Sequence, residues 1–103
     1  MYFLTSLRIT PSKHNIRTNT HPSNDNRCWG YYKDKEKAIQ AATENWGDME
    51  ECYYEYLVIE HFSEGLITIA KEEIWYHWDI KLSRWVECKK PEELKRVVNF
   101  GIG

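Results

Sequence analysis

The segment Glu51–Phe62 (ECYYEYLVIEHF) places the strongest constraint on what this chain can fold into. It is rich in the aromatic and β-branched residues that are enriched in strands. Because alternate side chains of a strand point to opposite faces, we expect Tyr54, Tyr56 and Val58 on one face of a sheet and Leu57 on the other. The segment therefore predicts a long strand that other parts of the chain complete into a sheet.

Four further segments of similar composition predict the remaining strands. They are Tyr2–Thr10, Arg27–Lys33, Glu72–Ile80 and Arg84–Cys88. The last two are separated by a short link, which is typical of a hairpin. Since hairpins join antiparallel strands, the sequence predicts a mostly antiparallel sheet of four to five strands.

Two helices are predicted to cover one face of this sheet. Asp34 is a good N-cap for a helix that ends at Trp46, with Gly47 as the residue that terminates it. Pro91–Val98 is predicted as a second helix, because proline is favoured at a first helical position. The sequence thus predicts a single α+β domain over residues 1–103.

A long polar loop is predicted at residues 12–26, between the first two strands. The segment has almost no apolar side chains and many Asn, Ser and Thr residues. Loops of this length in compact domains are usually functional or disordered. We therefore treat the loop as a candidate contributor to a binding site.

No motif for catalysis, metal binding or a cofactor is found in the sequence. The cysteines Cys28, Cys52 and Cys88 are odd in number, far apart and without a CxxC pair, which is typical of reduced thiols. The four histidines show no HxxxH or HxH spacing. We expect no catalytic residue, no metal and no cofactor. We also expect no secretory signal and no membrane span, hence a cytoplasmic protein.

Charge is unevenly distributed although the formal net charge is −2. Residues 1–37 carry a net +4, residues 38–79 a net −9, and residues 80–103 a net +3. These blocks either interleave and cancel in the fold or leave a basic patch near the N-terminal segment. The weakly negative total disfavours direct nucleic-acid binding.

The residues around the loop combine basic and aromatic side chains in a way that favours an anionic aromatic ligand. Arginine binds phosphate through paired hydrogen bonds, and aromatic rings stack on nucleobases. The candidate ligand-binding residues are Arg17, Arg27, Trp29, Tyr31, Asn45 and Asp48. The competing interpretation is a flexible loop followed by core aromatics, and the sequence leaves both open.

A second aromatic cluster lies on the predicted hairpin. Its members are Trp75, His77, Trp78 and Trp85. If helices cover only one face of the sheet, aromatic side chains on the other face form an interface with a subunit, a partner or a ligand. The alternative is that both faces are packed.

The arrangement of several motifs resembles a family of short proteins of bacteria, prophages and phages without an assigned activity. The residues that carry the resemblance are Arg27-x-x-Gly30-Tyr31-Tyr32, Asn45-Trp46-Gly47-Asp48-Met49-Glu50-Glu51, Tyr54-x-Tyr56-x-Val58-Ile59-Glu60, Glu64-Gly65-Leu66, Trp75-Tyr76-x-Trp78-Asp79 and Phe100-Gly101-Ile102-Gly103. Some small proteins of such mobile elements block bacterial immunity by sequestering cyclic or ADP-ribose-derived nucleotide signals, and others block a host protein.

The resemblance and the basic, aromatic segment together lead to one expected function with two alternatives. The expected function is a non-enzymatic, homo-oligomeric anti-defence protein that sequesters a nucleotide-derived immune signal in the bacterial cytoplasm. One alternative is an inhibitor that blocks a host protein through its aromatic sheet face. The other is a small enzyme that acts on a nucleotide.

Overall fold

The computed structural model describes residues 1–10, 23–49, 54–65, 69–97 and 100, and only the main chain at residues 9, 10 and 23–25. Within these residues the chain forms five strands, one α-helix and a short 3-10 turn. In chain order they are β1 (Tyr2–Thr10), β2 (Ser23–Tyr32), α1 (Lys35–Thr43), β3 (Tyr56–His61), β4 (Glu72–Asp79), β5 (Arg84–Cys88) and the 3-10 turn (Glu92–Leu94).

The five strands form one antiparallel sheet in the order β2-β1-β3-β4-β5. The predicted α+β class and the antiparallel sheet are therefore confirmed. In the central strand β3, Leu57 and Ile59 belong to one buried cluster and Val58 to another. Because neighbouring residues of a strand point to opposite faces, the two clusters lie on opposite faces of the sheet.

Helix α1 covers the first face and ends earlier than predicted. The Asp34 side chain accepts a hydrogen bond from the Glu36 N–H at 2.9 Å, as expected of the predicted N-cap. The helix ends at Thr43, and Asn45 (φ 50°) rather than Gly47 takes the left-handed conformation that follows. The Asn45 and Trp46 N–H groups then donate to the carbonyls of Ala42 and Ala41, the hydrogen-bond pattern of a Schellman motif.

The second predicted helix, Pro91–Val98, is wrong in type and in position. The segment forms only the 3-10 turn Glu92–Leu94, and its apolar side chains pack on the face of the sheet opposite α1. Leu94 and Phe100 are buried in the cluster on this face, and Val97 packs against it. The two faces of the sheet are therefore covered by different elements, and not by two helices on one face.

Buried polar contacts hold this C-terminal segment on the sheet. The Phe100 N–H donates to both carboxylate oxygens of the fully buried Glu60, at 3.2 and 3.1 Å. Lys90 Nζ donates to the Val97 carbonyl at 2.7 Å and lies 3.0 Å from a Glu73 carboxylate oxygen. These contacts join the end of the chain to β3 and β4.

Strand β2 begins inside the predicted loop. The loop was expected to reach residue 26, yet β2 starts at Ser23 and pairs with β1 as far as Thr10. An edge strand tolerates polar side chains because its ladder is formed by main-chain groups. The rest of the predicted loop, residues 11–22, lies outside the described residues.

Substituting Phe100 tests whether the C-terminal segment is docked. The Phe100 ring is 4% exposed and meets Trp75 edge-on, with ring centroids 5.1 Å apart. Phe100→Ala is expected to lower the free energy of unfolding by about 3–5 kcal/mol in urea titrations. The control Ile80→Ala removes a side chain that is 82% exposed and should change it by less than about 0.5 kcal/mol. Equal effects of the two variants would contradict the docking.

The stability of the protein is expected to fall as the pH drops below 6.5. His61 stacks on Tyr2 with ring centroids 4.2 Å apart. Burial, the N-terminal ammonium and Lys71 together lower the pKa of His61 below its usual 6.5. The unfolded chain therefore takes up the proton first, and the free energy of unfolding decreases until the folded state is protonated too.

Urea titrations between pH 7.5 and pH 5 measure this decrease, with His61→Phe as the matched variant. Phenylalanine keeps a ring against Tyr2 but does not titrate, so the His61 contribution should be absent from the variant's pH profile, and the two profiles should diverge as the pH falls below 6.5. Parallel profiles would show that His61 titrates alike in the folded and unfolded chains.

Candidate functional site

A cavity of about 320 Å³ lies between the end of α1 and the edge strand β2. Its volume is at the small end of the range of ligand pockets. Most of its lining is apolar or aromatic. The lining residues are Leu4, Trp29, Gly30, Tyr31, Tyr32, Ala41, Trp46, Gly47 and Met49.

A β-bulge in β2 brings two aromatic side chains to the same side of the sheet. The register between β1 and β2 shifts at this point, since Leu4 pairs with Gly30 and Thr5 pairs with Cys28. Trp29 is the extra residue, and Gly30 takes a φ of 142° that side-chain-bearing residues rarely adopt. In a regular strand Trp29 and Tyr32 would point to opposite faces. With the bulge, both pack against the cluster beneath α1 and line the cavity.

Trp46 forms the opposite wall and is positioned by the turn after α1. Its ring is 38% exposed and meets Tyr32 edge-on, with ring centroids 6.1 Å apart. The indole N–H donates to Glu44 at 3.0 Å, and Gln40 donates to the other oxygen of the same carboxylate at 2.9 Å. These two hydrogen bonds lower the pKa of Glu44, which therefore stays ionised at neutral pH.

Arg27 adds a positive charge at the β2 end of the cavity. Its guanidinium carbon lies 4.0 Å from the ring centroid of Trp29, a cation–π contact. The Trp29 indole N–H donates to the Ser6 hydroxyl at 2.6 Å, which fixes the orientation of the ring. Arg27 and Ser6 are paired in register, so both side chains start from the same face of the sheet.

The arrangement is suited to a flat, largely apolar ring system. Trp29 and Trp46 both use their N–H groups internally, so what they offer a ligand is ring surface rather than hydrogen-bond donors. Leu4, Ala41 and Met49, all buried, provide the apolar part of the lining. A guanidinium beside such a cavity supplies charge-assisted hydrogen bonds to an anionic group.

The six predicted ligand-binding residues do not all meet at this cavity. Trp29 lines it, and Arg27 stacks on Trp29. Arg17 lies outside the described residues.

The other three predicted residues take different positions around the cavity. Tyr31 borders it, but its ring packs against Phe3 at a centroid distance of 5.3 Å on the opposite face. Asn45 instead accepts a hydrogen bond from the Trp85 indole at 3.0 Å. Asp48 is exposed and lies between Gly47 and Met49, which both line the cavity.

Sequence reasoning missed Tyr32, Trp46 and Met49 as site residues. Trp46 was predicted as the last residue of a longer helix, and only the early end of α1 places it at the cavity. Tyr32 follows the predicted site residue Tyr31, but the bulge places Tyr32, and not the Tyr31 ring, on the same side of the sheet as Trp29. The sequence signal that was available is Gly30, because a glycine inside a strand often marks a bulge.

The predicted aromatic interface is mostly interior. Trp75 is 3% exposed and Trp85 is 2% exposed, so neither indole ring presents a surface to a partner. Trp85 donates its indole N–H to Asn45 in the turn after α1, and the Phe100 ring packs edge-on against Trp75. Trp78 packs edge-on against Trp85, with ring centroids 5.3 Å apart, and His77 is partly exposed on the other face. The interpretation that both faces are packed therefore describes this region.

Burial shifts the pKa of two further titratable side chains among the described residues. Burial raises the pKa of the Cys88 thiol, and burial with Glu87 nearby raises the pKa of Tyr76 to about 12. Among the described residues no group of three His, Cys, Asp or Glu side chains is placed to hold a metal ion. Cys52 lies outside the described part of the chain. No helix in that part is long and apolar enough to span a bilayer.

No protein-family model, no curated protein and no solved structure matches this chain. The function is therefore argued from the cavity and its surroundings.

Ser6→Ala is expected to loosen one wall of the cavity. The variant leaves the partly buried Trp29 N–H without its acceptor, which should cost about 1 kcal/mol of unfolding free energy. Urea titrations followed by tryptophan fluorescence measure both the cost and the change around the indole. Ser63→Ala, at an exposed position, is the matched control and should be neutral. If Ser6→Ala were as neutral as that control, the Ser6–Trp29 hydrogen bond would contribute nothing in solution.

Proposed function

We propose that this protein binds a small nucleotide-derived ligand in the cavity and releases it chemically unchanged. The nucleobase lies between Trp29 and Trp46, and Arg27 binds a phosphate outside the cavity. Stacking on aromatic rings contributes about 1–3 kcal/mol per base. Phosphate adds charge-assisted hydrogen bonds to the guanidinium.

The observation that carries the proposal is the pairing of an aromatic cavity with a cation at its edge. Rings of Trp29, Tyr32 and Trp46 line a volume of about 320 Å³, and Arg27 lies directly over one of these rings. A simple apolar ligand would gain nothing from the guanidinium, and a simple anion would gain nothing from the rings. A nucleotide uses both.

The biological role that we propose is sequestration of a nucleotide-derived immune signal in the cytoplasm of a bacterial host. The support is the resemblance to short phage and prophage proteins, together with a cavity of the appropriate chemistry. The proposal includes a homo-oligomer. It is supported by the outer edge of β2, which pairs with no other strand among the described residues. The mass in solution from light scattering tests this part.

The two alternative functions predict different outcomes in one binding experiment. A protein that blocks a host protein would give no heat with any nucleotide. The exposed side chains of Ile80 (82%) and Leu82 (55%) at the β4–β5 turn are then the surface to consider, rather than the buried tryptophans. An enzyme would bind a nucleotide and convert it, so chromatography of the recovered ligand would show a product.

Calorimetric titration with a panel of nucleotides is the test of the proposed function. The panel contains mononucleotides, cyclic dinucleotides and cyclic ADP-ribose isomers. At least one member is expected to bind with a stoichiometry of one base per chain. Trp46→Ala should weaken that binding by about 1–3 kcal/mol through the loss of stacking. Arg27→Gln should weaken the binding of that member and leave unchanged the binding of the corresponding free nucleoside, which lacks the phosphate and is titrated beside it.

The matched control for Arg27→Gln is Arg96→Gln. Both arginines are exposed and the charge change is identical, but Arg96 lies on the C-terminal segment across the sheet. It should leave binding unchanged. Absence of heat and of any thermal shift with the whole panel would rule out the proposed function, and equal effects of the two arginine variants would rule out a phosphate contact at Arg27.

A further inference from the structure

Charged side chains of opposite sign contact two of the residues that line the cavity. Arg27 stacks on Trp29 at the β2 end. At the α1 end, Glu44 holds the Trp46 indole, and Asp48 follows Gly47 in the same turn. A base between Trp29 and Trp46 would therefore have a cation beside one ring and a carboxylate beside the other.

Of the two carboxylates in the described turn after α1, Asp48 is the one that is available to a ligand. Both oxygens of Glu44 already accept hydrogen bonds, from Trp46 and from Gln40. The Asp48 side chain, in contrast, is exposed and has no hydrogen bond or ion pair with any part of the chain that the structure describes. Its main chain is held in a left-handed turn (φ 52°) whose N–H donates to the Asn45 carbonyl at 3.1 Å. The turn thus fixes Asp48 between two residues that line the cavity.

An ionised carboxylate only accepts hydrogen bonds, and its two oxygens accept two parallel donors at once. Among nucleobases, guanine presents two adjacent donors on one edge, N1–H and the 2-amino group. Hypoxanthine presents only N1–H. Adenine presents an acceptor, N1, beside its single amino group, and this acceptor would be repelled by a carboxylate.

We propose that the cavity selects a guanine nucleotide, one base per chain, with Asp48 accepting from the Watson–Crick edge and Arg27 binding the phosphate. This inference rests on the proposed function and specifies its ligand. The volume of about 320 Å³ is at the lower limit of ligand pockets and fits one ring system rather than two. Guanosine monophosphate, or one half of a guanine-containing cyclic dinucleotide, meets these conditions.

The test compares three mononucleotides that differ only at the base edge. Guanosine monophosphate is expected to bind about tenfold more tightly than inosine monophosphate, which lacks the 2-amino donor, because a hydrogen bond to a charged group is lost. Adenosine monophosphate should bind more weakly still. Isothermal titration calorimetry under identical salt and pH gives the three dissociation constants.

Asp48→Asn is the variant that assigns the preference to this residue. The amide is isosteric but uncharged and offers one acceptor, so the guanosine-to-inosine ratio should fall from about tenfold to less than about threefold. Glu64→Gln, an exposed carboxylate in the turn after β3, is the matched control and should leave the ratio unchanged. Unfolding titrations of both variants confirm that the fold is retained.

The outcomes separate this inference from the proposed function. Equal affinity of the wild-type protein for all three mononucleotides overturns guanine selection and leaves nucleotide binding intact. A guanosine preference that persists in Asp48→Asn overturns the role of Asp48. A titration in which no nucleotide binds, cyclic dinucleotides included, overturns the inference and the proposed function together.

Discussion

The bulge at Trp29 is the constraint on which the cavity depends. Strand alternation puts residues three apart on opposite faces, so a regular β2 would separate Trp29 from Tyr32. The extra residue between the Leu4–Gly30 and Thr5–Cys28 pairs cancels one step of that alternation. Both rings then face α1, and Ser6 is in place to fix the Trp29 indole. A bulge on an interior strand would disrupt two ladders, but β2 is an edge strand and only its pairing with β1 must adapt.

The aromatic residues away from the cavity stabilise the two buried clusters on opposite faces of the sheet. Trp85 and Tyr76 are buried beneath α1, and Trp75 is buried beneath the C-terminal segment. A buried indole requires an acceptor for its N–H, and here Asn45 and Glu73 provide one for Trp85 and Trp75 at 3.0 and 2.9 Å. The high aromatic content therefore has two explanations in this fold. Most tryptophans are structural, whereas Trp29 and Trp46 are left partly exposed at one edge.

The features that could be predicted from the sequence are those whose signals lie within one short segment of the chain. Strand composition and the Asp34 cap are local signals, and β1, α1 and β5 begin where those signals place them. The C-terminal segment was wrongly predicted as an α-helix because Pro91 was taken as a first helical residue, whereas only the 3-10 turn Glu92–Leu94 forms. The sequence left open whether Trp75 lies on an exposed or a packed face, because nothing local shows that Phe100 returns to cover it. The cavity required knowledge of the β1–β2 register, which no single segment contains.

The strand order determines which basic and acidic segments of the sequence lie next to each other in the fold. The sheet places β3 and β4, from the acidic segment, between strands from the two basic segments. Lys35 pairs with Glu72 at 2.9 Å and Lys90 with Glu73 at 3.0 Å, so basic and acidic segments meet across the fold. At these contacts the basic and acidic segments therefore interleave, as in the first of the two arrangements that the sequence left open. Arg27 and Asp48 come from a basic and an acidic block as well. Arg27 lies over the Trp29 ring, and Asp48 lies between Gly47 and Met49, which line the cavity. In the proposed complex the base lies between these two charges, which gives the bound ligand a direction.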